Sequence, residues 1–246
     1  MAASSSEIKI ILDNIFFLTI VLGMNYPGGK GGIYQKHINL MPPHDVYIET
    51  YLGGGAVMRN KRPAQINIGI EIDLNVIEMW TGITIPKDMQ LICGDAVEFL
   101  KEYQFTGKEF VYCDPPYLRN TRKKIKPLYK YEYTVEQHIE LLKVIKSLPC
   151  MVMISGYESP LYVETLKSWS THSFQAKTHN GTAIEWVWMN YSHPEELHDY
   201  HFLGDNFRER ERIKNRTKRC VSRLGKMPIL ERQALLSAIY SVYDND

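Results

Sequence analysis

Cysteine is scarce in this chain: 246 residues hold four (Cys93, Cys113, Cys150 and Cys220), widely spaced and with no CxxC pair. That excludes a disulfide framework and argues against a structural zinc site, and a reducing, cytoplasmic setting is expected. Long apolar runs are missing too. The run Ile15 to Leu22 (IFFLTIVL) is too short to span a bilayer, and Glu7, Lys9 and Asp13 before it do not make the basic flank of a signal sequence. Residues 1–23 are therefore expected to form an extension ahead of the main domain, and no membrane partner is expected. There is no internal repeat, no low-complexity tract, no GxGxxG turn and no GK[ST] phosphate loop. A metal is not expected either. Glu195, Glu196, His198, Asp199 and His201 could be drawn as a ligand cluster, but they read more simply as a solvated charged run.

An excess of charge of one sign is also absent, with 29 Lys+Arg against 28 Asp+Glu. The balance conceals an asymmetry. Leu118 to Tyr133 carries +5 and Phe207 to Lys226 carries +7, so the rest of the chain is acidic. Two basic segments on an acidic body point to a polyanionic partner.

What is present is a core. Apolar residues make up 44% and aromatic residues 11%, enough for one α/β domain with appendages. Short β-like runs at 46–48, 66–70, 90–93, 110–113, 151–155 and 186–190 alternate with helical stretches at 56–60, 74–80, 96–103, 135–148 and 160–168. Such alternation predicts a parallel, Rossmann-like sheet with flanking helices. After Pro194 the chain turns charged and helical, with Leu235, Leu236, Ile239 and Tyr240 at helical spacing through 231–243. The expected domains are thus the extension 1–23, a catalytic domain 24–192 and a helical, basic segment 193–246.

Three motifs carry chemistry. Asp114-Pro115-Pro116-Tyr117 follows the apolar run 110–113, and two prolines cannot continue a central strand, so the chain leaves the sheet at its carboxyl edge, where open α/β sheets hold ligands. A carboxylate, a rigid carbonyl and an aromatic ring suit a planar amine: Asp114 and the Pro115 carbonyl accept its two N–H groups while Tyr117 stacks on the attached ring. Glu49-Thr50-Tyr51-Leu52-Gly53-Gly54-Gly55 brings three glycines to a strand-to-helix turn, where backbone approaches a ligand closely. Glu71-Ile72-Asp73 follows the next run at about the twenty-residue offset of a ribose-gripping acid, and Gly94-Asp95-Ala96 ends a third. Together these imply a nucleoside-bearing cofactor without a pyrophosphate. Tyr26-Pro27-Gly28-Gly29-Lys30-Gly31-Gly32 is a glycine-rich loop with one aromatic and one cation.

In this order, YPGGKGG, ETYLGGG, EID, GDA, DPPY, Ile154-Ser155-Gly156-Tyr157 and Glu185 to Tyr191 (EWVWMNY), the series resembles that of Dam-like adenine-specific DNA methyltransferases, from about Tyr26 to Tyr191. The resemblance implies S-adenosylmethionine as cofactor and a Rossmann-like methyltransferase sheet. It implies a catalytic pocket of Asp114, Pro115, Pro116 and Tyr117 with the loop lysine Lys30. It also implies a cofactor site in which Tyr26 stands beside the cofactor's adenine with Gly28 and Lys30 of the same loop, Gly53, Gly54 and Gly55 wrap the methionine part, and Glu49 lies near its end. Glu71, with Asp73 after it, would hold the ribose, Asp95 would hold the cofactor's adenine amine, and Asp114 would border both sites. The target is implied to be an adenine rotated out of duplex DNA.

One departure matters. Only 97–113 separates GDA from DPPY, and only 118–154 separates DPPY from ISGY, so little room exists for a separate target-recognition insertion. The nucleic-acid contacts are therefore expected on Arg119, Arg122, Lys123, Lys124, Lys126 and Lys130, where Tyr129, Tyr131 and Tyr133 interleave with lysine. Arg208 to Lys226 is a second candidate. RNA adenine methylation and an inactive nucleic-acid-binding homologue remain the alternatives. A protein-glutamine methyltransferase fits less well, because that group favours Asn before the two prolines.

Overall fold

A computed structural model describes residues 30–82, 89–122, 130–178 and 181–243. The chain divides into two compact units, one through Asp199 and one from Tyr200. The expected extension 1–23, the loop residues Tyr26 and Gly28, and Lys123, Lys124 and Lys126 lie outside the described residues.

The first unit is one seven-stranded sheet flanked by helices. Its strands are β1 (Val46–Glu49), β2 (Ile66–Glu71), β3 (Met89–Cys93), β4 (Glu109–Cys113), β5 (Met151–Gly156), β6 (Ser170–Thr178) and β7 (Gly181–Met189). They lie in the order β3-β2-β1-β4-β5-β7-β6. The first five are parallel, while β7 runs antiparallel to both β5 and β6. The helices are α1 (Tyr34–Ile38), α2 (Ala56–Asn60), α3 (Leu74–Thr81), α4 (Ala96–Glu102), α5 (Val135–Ser147) and α6 (Pro160–Thr165). This is the expected Rossmann-like α/β sheet.

The central strands are legible as apolar runs because they are covered on both faces: every residue of β1 and β4 is buried. Ile48, Val111, Val152 and Ile154 pack on Leu141, Ile145 and Trp188 in the main core. Helix starts follow capping chemistry. Asp73, Asp95 and Ser159 cap α3, α4 and α6, and Thr134 with Gln137 forms a reciprocal capping box on α5.

The sequence pattern misses β6 altogether and shortens β7 to its last residues. Of β6, Thr171, His172 and Ser173 are exposed and only Phe174 and Ala176 are buried among residues 171–176. An edge strand of this kind carries no apolar run to announce it. The expected boundary at 192/193 also differs from the unit boundary. His198 N–H donates to the Met41 carbonyl at 2.8 Å and Asp199 accepts from Arg62 N–H at 2.8 Å, which ties the chain to the first unit through Asp199.

The second unit contains α7 (Phe207–Lys226) and α8 (Ile229–Tyr243). Asn206 caps α7, accepting from Glu209 N–H.

Candidate active site

The strand order reverses between β1 and β4, and the carboxyl ends on either side of such a switch point form the ligand crevice of an open sheet. Four acids stand in a row on this edge because each follows or ends one of four neighbouring strands: Asp95 after β3, Glu71 on β2, Glu49 on β1 and Asp114 after β4. They line an open cleft together with the glycine turn.

The turn is built for close approach. Gly53 and Gly55 take left-handed conformations with φ 47° and 55°, and a Cβ on Gly55 would meet the Trp80 ring at 2.2 Å. Trp80, fully buried on α3, donates its indole N–H to the Gly53 carbonyl at 2.8 Å. Glu71 braces the turn from the other side, accepting from Gly53 N–H at 2.8 Å and from Asp73 N–H at 2.9 Å. Asp95 uses one oxygen, Oδ1, for both cap bonds of α4, to Val97 and Glu98. Its other oxygen is left to take a ligand donor.

Glu49 is buried, and its Oε2 accepts from the Tyr47 hydroxyl and Met58 N–H, both at 2.9 Å. Burial pushes its carboxyl up to about 8, against those hydrogen bonds, with Asp114 adding to the rise. Near neutral pH the group is largely protonated, and a cation arriving in the cleft would ionise it.

Asp114 is the centre of a second cluster. Its Oδ1 accepts from Lys30 Nζ at 2.6 Å and from Ser155 Oγ at 2.7 Å. Lys30 Nζ also donates to the Tyr117 hydroxyl at 2.7 Å and stands 3.3 Å from Glu185 on β7. His37 Nε2 lies 3.3 Å from the same Glu185 oxygen, while its Nδ1 is 3.1 Å from the Ile33 carbonyl. Burial alone would raise the Glu185 carboxyl, but Lys30 and His37 bring it well below the usual carboxylate range. A buried carboxylate, Glu185, and a partly buried one, Asp114, therefore share one lysine. Tyr117 is buried, with its ring edge-on to Tyr157 at 4.8 Å.

Residues 73–180 match the D12 class N6 adenine-specific DNA methyltransferases. The Dam-like resemblance is shown by that match. No curated protein matches the chain. Among solved structures, TrmK of M. capricolum with S-adenosyl-homocysteine is 9% identical, covers 87% of this chain and 97% of its own, and has a TM-score of 0.43. A putative methyltransferase from Streptococcus mutans, also with S-adenosyl-homocysteine, is 12% identical over 63% of this chain and 93% of its own, TM-score 0.43. A dimethyladenosine transferase from Plasmodium falciparum is 12% identical over 63% and 58%, TM-score 0.39.

The cleft of this methyltransferase fits S-adenosylmethionine on its donor set. A glycine turn without a phosphate loop, a row of carboxylates for amine and hydroxyl groups, and the open space beside Gly94, where a Cβ would meet nothing within 4 Å, suit a nucleoside and a cationic amino-acid part. Lys30, Glu49, Gly53, Gly54, Gly55, Glu71, Asp95, Asp114 and Pro116 all come together in this one cleft. Asp73 does not line it. Asp73 caps α3 and pairs with Lys130 Nζ at 2.8 Å, which holds the Asp73 carboxyl down.

The described members of the first basic segment are engaged with acids. Arg122 has a side chain only 9% exposed; it pairs with Glu132 at 2.9 Å and donates to the Tyr117 carbonyl. Arg119 lies 3.8 Å from the same Glu132. These contacts brace the chain leaving the DPPY turn.

Sequence reasoning assigned no role to Glu185, Ser155 or His37, although EWVWMNY and ISGY were read as motifs. The available signal was a lone acid in an otherwise apolar, aromatic strand.

Proposed function

We propose that this methyltransferase transfers a methyl group from S-adenosylmethionine to the exocyclic amine of adenine in DNA, with the adenine rotated out of the duplex into the pocket beside Asp114. The observation that carries this reading is the junction of two sites on one sheet edge. The glycine turn and acids of the cleft run directly into Asp114, whose carboxylate and neighbouring Pro115 carbonyl suit an amine with two hydrogens. S-adenosylmethionine, when bound, supplies an electrophilic sulfonium methyl.

The chain's own residues do the rest. Asp114 Oδ1 and the Pro115 carbonyl accept the two N–H groups of the amine and favour a pyramidal nitrogen whose lone pair points toward the cleft. Ser155 holds the Asp114 carboxylate in place. Lys30, which sits on Asp114 at 2.6 Å, gives up that acceptor to the amine and stays neutralised by Glu185. Burial keeps the Tyr117 phenol protonated, and with Tyr157 it offers aromatic surface that offsets lost base stacking. No strongly shifted base is required, because the proton can leave the nitrogen after transfer.

Catalysis falls to the first unit, and the unit from Tyr200 is an appended segment. The test is tritium transfer from S-adenosylmethionine to duplex DNA, single-stranded DNA and structured RNA, with sequencing of modified adenines. Transfer to duplex DNA that Asp114→Ala abolishes, while cofactor binding persists in calorimetry, is the expected result. Preference for structured RNA would replace the DNA reading, and full activity of Asp114→Ala would refute the pocket.

A further inference from the structure

Helix α7 carries nine basic residues, and helical geometry sorts them. At 3.6 residues per turn, Arg208, Arg212, Arg216, Arg219, Arg223 and Lys226 fall within an arc of about 80°, following one another at spacings of four or three residues. The stripe runs for about 27 Å at 1.5 Å per residue. Arg210, Lys214 and Lys218 lie off it, on the far side of the helix. So do Ile213 and Leu224, both half-buried. No residue of α7 is buried.

Among the described residues acids engage one member of the stripe, Arg212. The ion pairs on α7 are Arg212 with Glu209 at 3.3 Å and Lys214 with Glu211 at 4.0 Å. Among the described residues Arg216, Arg219 and Arg223 have no acidic partner. The described members of the first basic segment are the opposite case, since Arg119, Arg122 and Lys130 pair with Glu132 and Asp73.

We propose that the straight basic stripe of α7 lies along the phosphate backbone of duplex DNA and supplies much of this protein's grip on it. The inference rests on the DNA reading above and names a surface for it. A narrow line of guanidinium groups matches a regular row of phosphates, which Arg engages through its planar fork. Such contacts position a duplex without reading bases, so grip and choice of adenine are separate tasks in this chain. An anionic membrane is the rival partner for a basic helix. The apolar face of α7 is small and its cations run to nine, which favours phosphate rows over an acyl boundary.

The test uses the full chain in two triple variants of equal charge, with glutamine chosen because it keeps helix propensity. The on-stripe variant is Arg216→Gln with Arg219→Gln and Arg223→Gln. The off-stripe variant is Arg210→Gln with Lys214→Gln and Lys218→Gln. Fluorescence anisotropy on a 30-base-pair duplex across a salt series should show Kd rising at least about tenfold for the on-stripe variant, and the slope of log affinity against log salt falling by about 2.7, one phosphate per arginine. The off-stripe variant should stay near wild type. Equal effects of the two variants, or no effect of either, would overturn the stripe while leaving the pocket chemistry intact. Preferential binding of the wild type to phosphatidylserine vesicles would overturn it as well. Absence of methyl transfer to any adenine substrate would instead overturn the reading of the active site.

Discussion

Glu185→Gln isolates the group that shares Lys30 with Asp114. The two side chains are 7% and 6% exposed and 3.3 Å apart, and at an effective dielectric of ~20 their direct attraction is ~5 kcal/mol. Glutamine keeps the shape and one acceptor, so the net loss is that of charge assistance, about 1.5–3 kcal/mol. Without that counter-charge Lys30 is held harder on Asp114, at 2.6 Å, and an incoming amine must displace it at this added cost. Tenfold in rate corresponds to about 1.4 kcal/mol, so kcat/KM for the nucleic-acid substrate should fall about 10- to 150-fold. Affinity for S-adenosylmethionine should not change, because Glu185 does not line the cofactor cleft. Steady-state kinetics with saturating cofactor, paired with calorimetry for cofactor affinity, reads both. A kcat/KM within threefold of wild type in a variant of unchanged unfolding midpoint would refute the shared-lysine account.

Gly55→Ala should lose cofactor binding and a good part of the unit's stability, since alanine resists φ 55° and its Cβ would strike Trp80; urea unfolding should show a cost of at least about 2 kcal/mol, and a neutral effect would contradict the described turn. Cofactor affinity should rise between pH 6 and 7.5, by up to about tenfold per unit, because a bound cation favours the ionised form of Glu49, whose buried carboxyl titrates at about 8. Calorimetry in buffers of different ionisation enthalpy should detect the released proton, and a flat profile would remove Glu49 from the cationic end. Acid should destabilise the first unit. Burial lowers His138 and His198 to about 4 and His44 to about 2, so in the window from pH 6.5 down to about 4.5 each binds a proton only on unfolding. Glu49, raised instead, loses one, leaving a net uptake of about two protons on unfolding, so stability falls as the pH is lowered across that window. Urea midpoints unchanged between pH 6.5 and 4.5 would contradict the buried, neutral histidines.

The parallel half of the sheet was legible because β1, β4 and β5 are buried on both faces and read as plain apolar runs. The DPPY turn was legible because two prolines must end a strand. The antiparallel edge was not. Strand β6 is half polar by virtue of lying at a rim, and its pairing with β7 is a long-range choice that no local pattern records.

From sequence alone came the fold class, the order of motifs and the row of acids at successive strand ends, since each follows from local chain chemistry and from the rule that places ligands at carboxyl edges. Only the tertiary structure decided which charges meet. Glu185 lies far along the chain from Asp114 yet shares its lysine, because the sheet order brings β7 there, and His37 meets the same Glu185. Its place beside the DPPY turn had made 118–133 the favoured basic patch, but folding sets Arg119 and Arg122 on Glu132 and Lys130 on Asp73. A net charge is a sum over residues, whereas a free charge depends on what stands within a few ångströms of it, and that is settled by packing.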